Sequence, residues 1–356
     1  MQTQDIVSGL NRWRDTWGDS RSMTCACRKE NIMKFKALSH YDGDTDTRFG
    51  DCILLYNDTT LIVYDCGHKK HKNKVKSFLE SNLAIKKIHV VVSHNDSDHT
   101  SGVCDLLAWL SERDKYDVVV YSHQYLKHVD TILDKIDDGR RSRESLKKAL
   151  IAEFDNIAEI IEAAQGYGFL TEEALKGTSA GNCTIVGPTV DEFTDVAAQA
   201  VDSRVGNNIG EGHAEETVMN AASVQLKCRL DNGETILLCG DASPDYLHEL
   251  DIYDIIQSPH HGQLDDAKAV FEVLKDPYSK TYFISDNTGS GDKSGGSDDL
   301  VRYMKDEYFD PAYNTQDGVV DIPGSLNIIS GDRKKNESRG ATLGVLDFRS
   351  RHLREQ

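Results

Sequence analysis

The chain has 356 residues and carries 41 Lys and Arg against 59 Asp and Glu, a formal net charge of −18. That balance argues against a protein that grips long nucleic acid mainly through nonspecific phosphate contacts, which need clustered cations, though it leaves room for a local basic groove. The composition is that expected of a soluble globular protein, in two domains or one large layered α/β domain, and no stretch approaches the ~20 consecutive apolar residues of a membrane-spanning helix.

The opening residues, "MQTQDIVSGLNRWRDTWGDS", lack a basic segment followed by an apolar one, so no secretory signal is expected. Residues 1–31 show no clear periodicity and read as an N-terminal extension, with Met33 as an alternative start. "NIMKFKALSHYDGDTDTRFGDCILLYNDTTLIVYDCG" (31–67) predicts three short strands punctuated at Asp42-Gly43-Asp44 and Asn57-Asp58. Residues 74–94 predict an amphipathic helix, a turn and a buried strand, the order of a layered α/β protein. "GVCDLLAWLSERDK" predicts a helix, "YDVVVYSH" a strand, and "SRESLKKALIAEFDNIAEIIEAAQ" one long charged helix, so about 122–178 reads as a helical insertion. Strands resume at "NCTIVGP" (182–188), and the polar stretch 202–216 predicts a mobile loop. "SVQLKCRLDNGETILLCGD" predicts a hairpin around Asp231-Asn232-Gly233. Further strands are expected at "YDIIQSP", "KTYFIS" and "GATLGVLDF" (340–348), completing a single domain over 32–356. The cysteines, Cys25, Cys27, Cys52, Cys66, Cys104, Cys183, Cys228 and Cys239, lie mostly in apolar runs with neither zinc-knuckle nor disulfide spacing, which predicts reduced, buried thiols in a cytoplasmic protein.

"VVVSHNDSDHTSG" (91–103) ends an apolar β-branched run at His94 and then sets Asp96, Asp98 and His99 on one short loop. Imidazole and carboxylate are ligand types for Zn²⁺, Mn²⁺ and Fe, and close aspartates repel one another unless a cation joins them. A solvated loop whose aspartate caps the next helix is the plainer alternative. Further strand ends favour the metal: "ETILLCGDAS" puts Asp241 just past a buried run, "YDIIQSPHHGQ" does so with His260 and His261, and "LIVYDCG" with Asp65. Four such exits predict side chains gathered on one edge of the sheets, as a dinuclear centre requires.

"SHNDSDHTSG", "LLCGDAS" and "SPHHGQ" resemble motifs of the metallo-β-lactamase fold superfamily, nearest the branch that contains the hydrolase domain of the ComEC competence proteins, and are similar to those of phosphorylcholine esterase. The resemblance spans roughly residues 32–348, with "FGDCILLY…LIVYDCG" matching the branch's opening hairpin. It implies an α/β fold, a four-layer αββα sandwich of two mixed β-sheets flanked by helices. It also implies that His94 and Asp96 bind one metal, that Asp98 and His99 bind a second with one histidine of the His260–His261 pair, and that Asp241 bridges the two. Asp65 would orient a ligand. Two departures from the commonest pattern stand out. Asp96 replaces the usual second histidine, and "NAASVQL", with Asn220 and Ser223, aligns where a further histidine is common, as in the ComEC-like branch. His213, in the nearby Gly-rich stretch, is a lesser candidate for the missing ligand.

The expected cofactors are two divalent metal ions, Zn²⁺ with Mn²⁺ as the alternative, since a His/Asp set does not separate them. The resemblance and the ligand types imply hydrolysis by a metal-activated water. Asp98, His260 and His261 are the catalytic candidates, with whichever histidine is not a ligand donating a proton to the leaving group or holding a phosphate oxygen. No serine or cysteine elbow motif competes. Three aspartates largely offset two dications, so "DNTGSGDKSGG" (286–296), with Lys293, is a candidate phosphate-binding loop and equally a plain surface loop. The leading expectation is a phosphodiesterase or nuclease-like enzyme acting on an anionic substrate, nucleic acid or nucleotide. Its alternatives are a hydrolase of small carbonyl substrates (lactone, thioester or amide) and a non-catalytic metal-binding scaffold. ComEC-type proteins join the hydrolase to a membrane channel, and this sequence shows none. A standalone cytoplasmic hydrolase is therefore expected. A protein partner could use the acidic helical segment at 128–165, whose plainer role is to cover the core.

Overall fold

The structure, a computed structural model, describes residues 32–39, 50–136, 142–206, 218–287, 296–309 and 312–322. The expectations for residues 1–31, the Asp42-Gly43-Asp44 turn, His213, Lys293 and the strand at 340–348 lie outside these residues.

The strands are β1 Lys34–Ala37, β2 Ile53–Tyr56, β3 Thr60–Tyr64, β4 Lys87–Val91, β5 Asp117–Ser122, β6 Leu170–Glu173, β7 Ser179–Ala180, β8 Cys183–Gly187, β9 Gln225–Arg229, β10 Thr235–Leu238, β11 Ile255–Gln257, β12 Thr281–Ile284, β13 Tyr313–Asn314 and β14 Val320–Ile322. They form two seven-stranded sheets, ordered β14-β1-β2-β3-β4-β5-β6 and β13-β12-β11-β10-β9-β8-β7. Both are mixed. In the first, β14, β1, β2 and β3 pair antiparallel and β3 to β6 parallel. In the second, β10 to β13 pair parallel and β10 to β7 antiparallel. The helices are α1 Lys69–Ser81, α2 Ser97–Thr100, α3 Val103–Ser111, α4 Val129–Ile136, α5 Arg143–Glu153, α6 Asp155–Gly166, α7 Val190–Gly206, α8 Leu264–Val273 and α9 Asp298–Asp306.

The near-continuous apolar runs of the central strands follow from burial on both faces. In β3, Ile62 and Tyr64 point into a core between the sheets, with Phe35, Leu226, Leu238 and Phe283. Leu61 and Val63, alternating with them, join Val75, Leu106, Leu150 and Phe193 beneath the helices of the first sheet. On the far side of the second sheet, Leu237 and Ile256 pack with Val270, Phe271, Leu300 and Met304 of α8 and α9. Three cores separate four layers, the expected αββα sandwich.

The connections place the site. β3 and β4 run parallel, as do β10 and β11. The exits bearing Asp65 and His94 therefore share one edge of the first sheet, and those bearing Asp241 and His260 share one edge of the second. Tyr64 Oη donates to Val224 O at 2.6 Å and Val224 N donates to Ser93 O at 2.9 Å, stitching the sheets together beside that edge.

Three local expectations need correction. Strands resume before 182, because β6 within the stretch expected to be helical pairs with β5 at the edge of the first sheet and β7 follows it. The single helix expected over 142–165 is broken into α5 and α6 at Phe154, whose φ of −107° and ψ of 38° are not helical. Its ring is buried and stacks on Tyr125 at 4.7 Å, and the backbone bends to put it there. Residues 202–206 of the expected loop are helical, because α7 continues to Gly206, and the remainder lies outside the described residues.

Candidate metal centre

The backbone around the predicted loops is unusual before any side chain is considered. Of the five non-glycine residues with positive φ among the described residues, three are Asp65, His260 and His261, at 60°, 50° and 56°. Such conformations cost about 1–3 kcal/mol each and persist where surrounding contacts over-determine them. Here Asp98 O accepts from Asp51 N at 3.0 Å and His99 O from Cys66 N at 3.0 Å, while His260 N donates to Gly240 O at 3.2 Å. Gly50 and Gly67 lie so close to the Asp98 carbonyl that a Cβ on either would sit 1.7 Å from its oxygen.

These turns bring seven predicted side chains together. Asp241 is central. Its Oδ1 lies 3.3 Å from His99 Nε2, and its Oδ2 lies 3.5 Å from His261 Nε2, 3.7 Å from His94 Nε2 and 3.9 Å from His260 Nε2. Asp98 Oδ2 stands 3.6 Å from His261 Nε2, and Asp96 Oδ2 3.9 Å from His94 Nε2. His94, His99 and Asp241 offer one ligand atom each within 4.8 Å of one another, and so do Asp51, His99 and His261.

Hydrogen bonding shows which ring nitrogens face inward. His99 Nδ1 donates to Asp65 Oδ2 at 2.8 Å, and the other oxygen of Asp65 accepts from Ser93 N at 2.7 Å. His261 Nδ1 donates to Ser285 O at 3.0 Å. Both Nδ1 atoms therefore carry protons, and both Nε2 atoms turn toward each other at 3.3 Å. Two imidazole lone pairs cannot face each other at that distance in a buried site without a proton or a cation to share. His94 Nε2 and Asp241 Oδ1 are buried with no hydrogen-bond partner among the described residues. Orphaned polar atoms converging from four loops fit divalent cations, the group the sequence implies.

Charge reinforces this. Burial alone would push the His99 and His261 imidazoles down, but Asp241, with Asp65 beside one and Asp51 and Asp98 beside the other, raises both well above 6.5. Burial works against the Asp241 and Asp98 carboxylates, and the surrounding histidines nevertheless hold both below the ordinary range. His94 goes the other way, lowered by burial and by His99. The cluster attracts positive charge strongly.

The remaining candidates take supporting places. Asn220, in the 3₁₀ turn Val218–Ala222, donates from Nδ2 to Asp96 Oδ2 at 3.1 Å. Ser223 does not reach the cluster; its Oγ donates to Asn220 O at 2.7 Å and so braces that turn. His260 is at the rim, its Nδ1 3.5 Å from Asp266 Oδ2 and its side chain 15% exposed.

Sequence reading passed over two contributors. Asp51 accepts from Gln257 Nε2 at 2.9 Å and from Ser285 Oγ at 2.5 Å, and approaches His261 Nδ1 at 3.2 Å. Its oxygens are occupied, so it acts on His261 as Asp65 acts on His99. The signal was present in "FGDC", where an aspartate precedes a buried strand just as Asp65 ends one. Asn287 donates to Asp98 Oδ2 at 2.5 Å and accepts from Gly50 N at 2.7 Å. It lies just beyond β12, one more strand exit on the same edge.

No protein-family model and no curated protein matches the sequence. Solved structures with a similar chain path include the metallo-β-lactamase fold protein YhfI from Bacillus subtilis, 13% identical over 68% of this chain and 94% of that one, with a TM-score of 0.33. A Thermotoga maritima protein provisionally described as a metallo-β-lactamase is 10% identical over 60% of this chain and 80% of that one, at 0.32. Long form RNase Z from yeast is 15% identical over 69% of this chain and 35% of that one, also at 0.32. At this level of overlap the likenesses supply names and no argument; the sheet order and the three cores define the architecture.

Proposed function

We propose that this chain is a dinuclear metal-dependent hydrolase whose preferred substrate is a phosphodiester. The observation that carries the reading is the pair of imidazole Nε2 atoms 3.3 Å apart, each turned inward by a bond at its other nitrogen and flanked by the partnerless Asp241 Oδ1. His99, His261, Asp98 and Asp241 would hold one ion and His94, Asp96 and Asp241 the other, with Asp241 between them. Divalent cations bound there supply an acidified water and a Lewis acid for the attacked group.

The chain's own residues do the rest. Asp65 and Asp51 keep the imidazole lone pairs of His99 and His261 directed inward. Asn287 donates to Asp98 Oδ2, the oxygen that faces His261 Nε2, and so fixes its direction. His260 stands at the rim with Asp266 on Nδ1, placed to hand a proton from Nε2 to a departing oxygen. Three carboxylates and the hydroxide formed from the acidified water would offset two dications, so the charge of a bound phosphodiester calls for a further donor at the rim, where His260 stands.

The test combines metal analysis with turnover. Wild type and Asp98→Ala are assayed for metal content by ICP-MS and for hydrolysis of bis-p-nitrophenyl phosphate, single-stranded DNA, and a lactone and a thioester. Two ions per chain in wild type, with phosphodiester turnover lost in the variant, is the expected result. Turnover confined to the lactone or thioester would replace the substrate, and absence of metal after reconstitution with Zn²⁺ and Mn²⁺ would end the mechanism.

A further inference from the structure

Asn95 lies between two members of the cluster, His94 and Asp96, yet its side chain bonds elsewhere. Its Nδ2 donates to Glu153 O at 3.0 Å and to Asp155 Oδ1 at 3.0 Å, and its Oδ1 accepts from Ile157 N at 3.0 Å. In return Asn156 Nδ2 donates to the Asn95 carbonyl at 2.7 Å. Four hydrogen bonds therefore join the loop to the corner between α5 and α6, some sixty residues away in the chain.

Two of these partners are groups that helix ends leave without intrahelical bonds. Glu153 O is among the last carbonyls of α5, and Ile157 N is among the first N–H groups of α6. The residue in the N-cap position of α6 is Phe154, which gives no side-chain cap. Asn95 supplies that cap from another part of the chain, in the manner of a local Asn or Asp. The break that the sequence pattern did not predict is the place where the loop docks.

The corner is a firm anchor. Phe154 is 1% exposed, stacks on Tyr125 with the rings 4° from parallel, and lies 5.9 Å from Phe193 of α7. Asp96, by contrast, is the most exposed carboxylate of the cluster, with 31% of its side chain open to solvent. Asn220 holds its Oδ2, and Thr100 N and Oγ1 bond its carbonyl at 3.1 and 2.9 Å. Those contacts fix Asp96 from the chain that follows it and from one side. Its position relative to His94 depends on the residue between them, and that residue is clamped to the helical corner.

We propose that Asn95 is a positioning residue: gripped by the α5–α6 corner, it sets where Asp96 stands relative to His94 and Asp241, and so tunes the affinity of the ion that those three residues would hold. The helical segment then belongs to the working parts of the centre. This rests on the metal-centre reading above, and its test separates the two.

Asn95→Ala, Asn95→Asp and Asn156→Ala are made in the full chain. Zn²⁺ alone is the probe, read by ICP-MS after desalting, by chelator competition, and by amide hydrogen exchange over residues 94–99. Asn95→Ala should weaken one of two ions by about tenfold or more, as loss of a supporting bond does, with the other ion unchanged and exchange at 96–99 faster. Asn95→Asp keeps the acceptor for Ile157 N but loses both donations, and should resemble Ala. Asn156→Ala, which removes one bond at the other end, should weaken the same ion by less. It also keeps the test open if Asn95→Ala does not fold. Wild-type affinity for both ions in folded Asn95 variants would overturn the proposal, as would equal weakening of both ions in step with a lowered Tm. If wild type binds no Zn²⁺, the metal reading fails by itself and exchange decides: unchanged protection at 96–99 overturns the clamp, and lost protection supports it.

Discussion

The two halves of the cluster are built differently. The inner half, His99, His261, Asp98 and Asp241, has side chains no more than 9% exposed. It is braced by buried carboxylates, Asp65 behind His99 and Asp51 beside His261. The outer half, His94, Asp96 and His260, opens to 31% exposure at Asp96, which is braced by the neutral amide of Asn220, while the Ser93 hydroxyl meets His94 Nδ1 at 2.9 Å. Carboxylate braces raise the basicity of a ligating imidazole and hold it through charge; amide braces give direction alone. On the proposed reading, the contrast teaches that one position would be preorganised for an ion that stays, and the other for one whose hold is adjustable.

The severest way to break the inner half is to add a methyl group. Gly67→Ala would place Cβ 1.7 Å from Asp98 O and 2.4 Å from its carbonyl carbon, both backbone atoms that side-chain rotation cannot relieve. Overpacking ordinarily costs about 1–3 kcal/mol, and a backbone clash should reach or exceed about 3 kcal/mol. Urea unfolding and ICP-MS should show a sharply destabilised chain that loses both ions. A variant that unfolds and loads like wild type would mean that the close approach of the two loops does not hold.

A smaller change sharpens the comparison. Asp65→Asn and Asp51→Asn keep size while removing the charge behind His99 and His261, and should weaken the inner ion by about 10–100-fold. Asn220→Ala removes one hydrogen bond to Asp96, worth about 0.5–1.5 kcal/mol, and should weaken only the outer ion by a factor of a few to about ten. Competition against a chromophoric chelator reads both. Equal losses at both ions from any one variant would erase the distinction between the halves.

Much of this was legible in the sequence because it depends on local pattern. Strand ends such as "VVVSH" and "ILLCGD" announce themselves through an apolar run that stops at a ligand-type residue, and the structure brings His94, Asp241, Asp65 and His261 to one edge. The braces were not legible, because their meaning lies in distant pairing. Asp51 reads as a turn residue until Gln257 and Ser285, more than two hundred positions away, bond to it. Phe154 fits the helical period, and the break there follows from two distant contacts, the stacking of its ring on Tyr125 and the docking of Asn95 at the corner. Asn220 and Ser223 were singled out by resemblance, yet only the fold separates the one that touches Asp96 from the one that supports the turn.

The smallest effect expected is the pH response of the outer ion, and it follows from the opposite fates of the imidazoles. In the metal-free protein burial lowers His99 and His261, but the surrounding aspartates outweigh it and raise both. A histidine whose folded pKa is raised contributes stability that is fully present below its unfolded value, near 6.5, and is lost as pH climbs through the raised value. The Tm of metal-free protein should therefore fall as pH climbs above about 6.5, and bound metal should abolish the fall by taking the place of the protons. Loading the inner position then releases protons, and its affinity should rise with pH across that window. His94 is lowered by burial and by His99, so it is already neutral near pH 7 and gives up almost nothing when an ion arrives. Calorimetric Zn²⁺ titrations in two buffers of different ionisation enthalpy separate the cases. A buffer-dependent enthalpy for the inner ion beside a nearly buffer-independent one for the outer is expected, and equal proton release at both would show that the two halves titrate as a single unit.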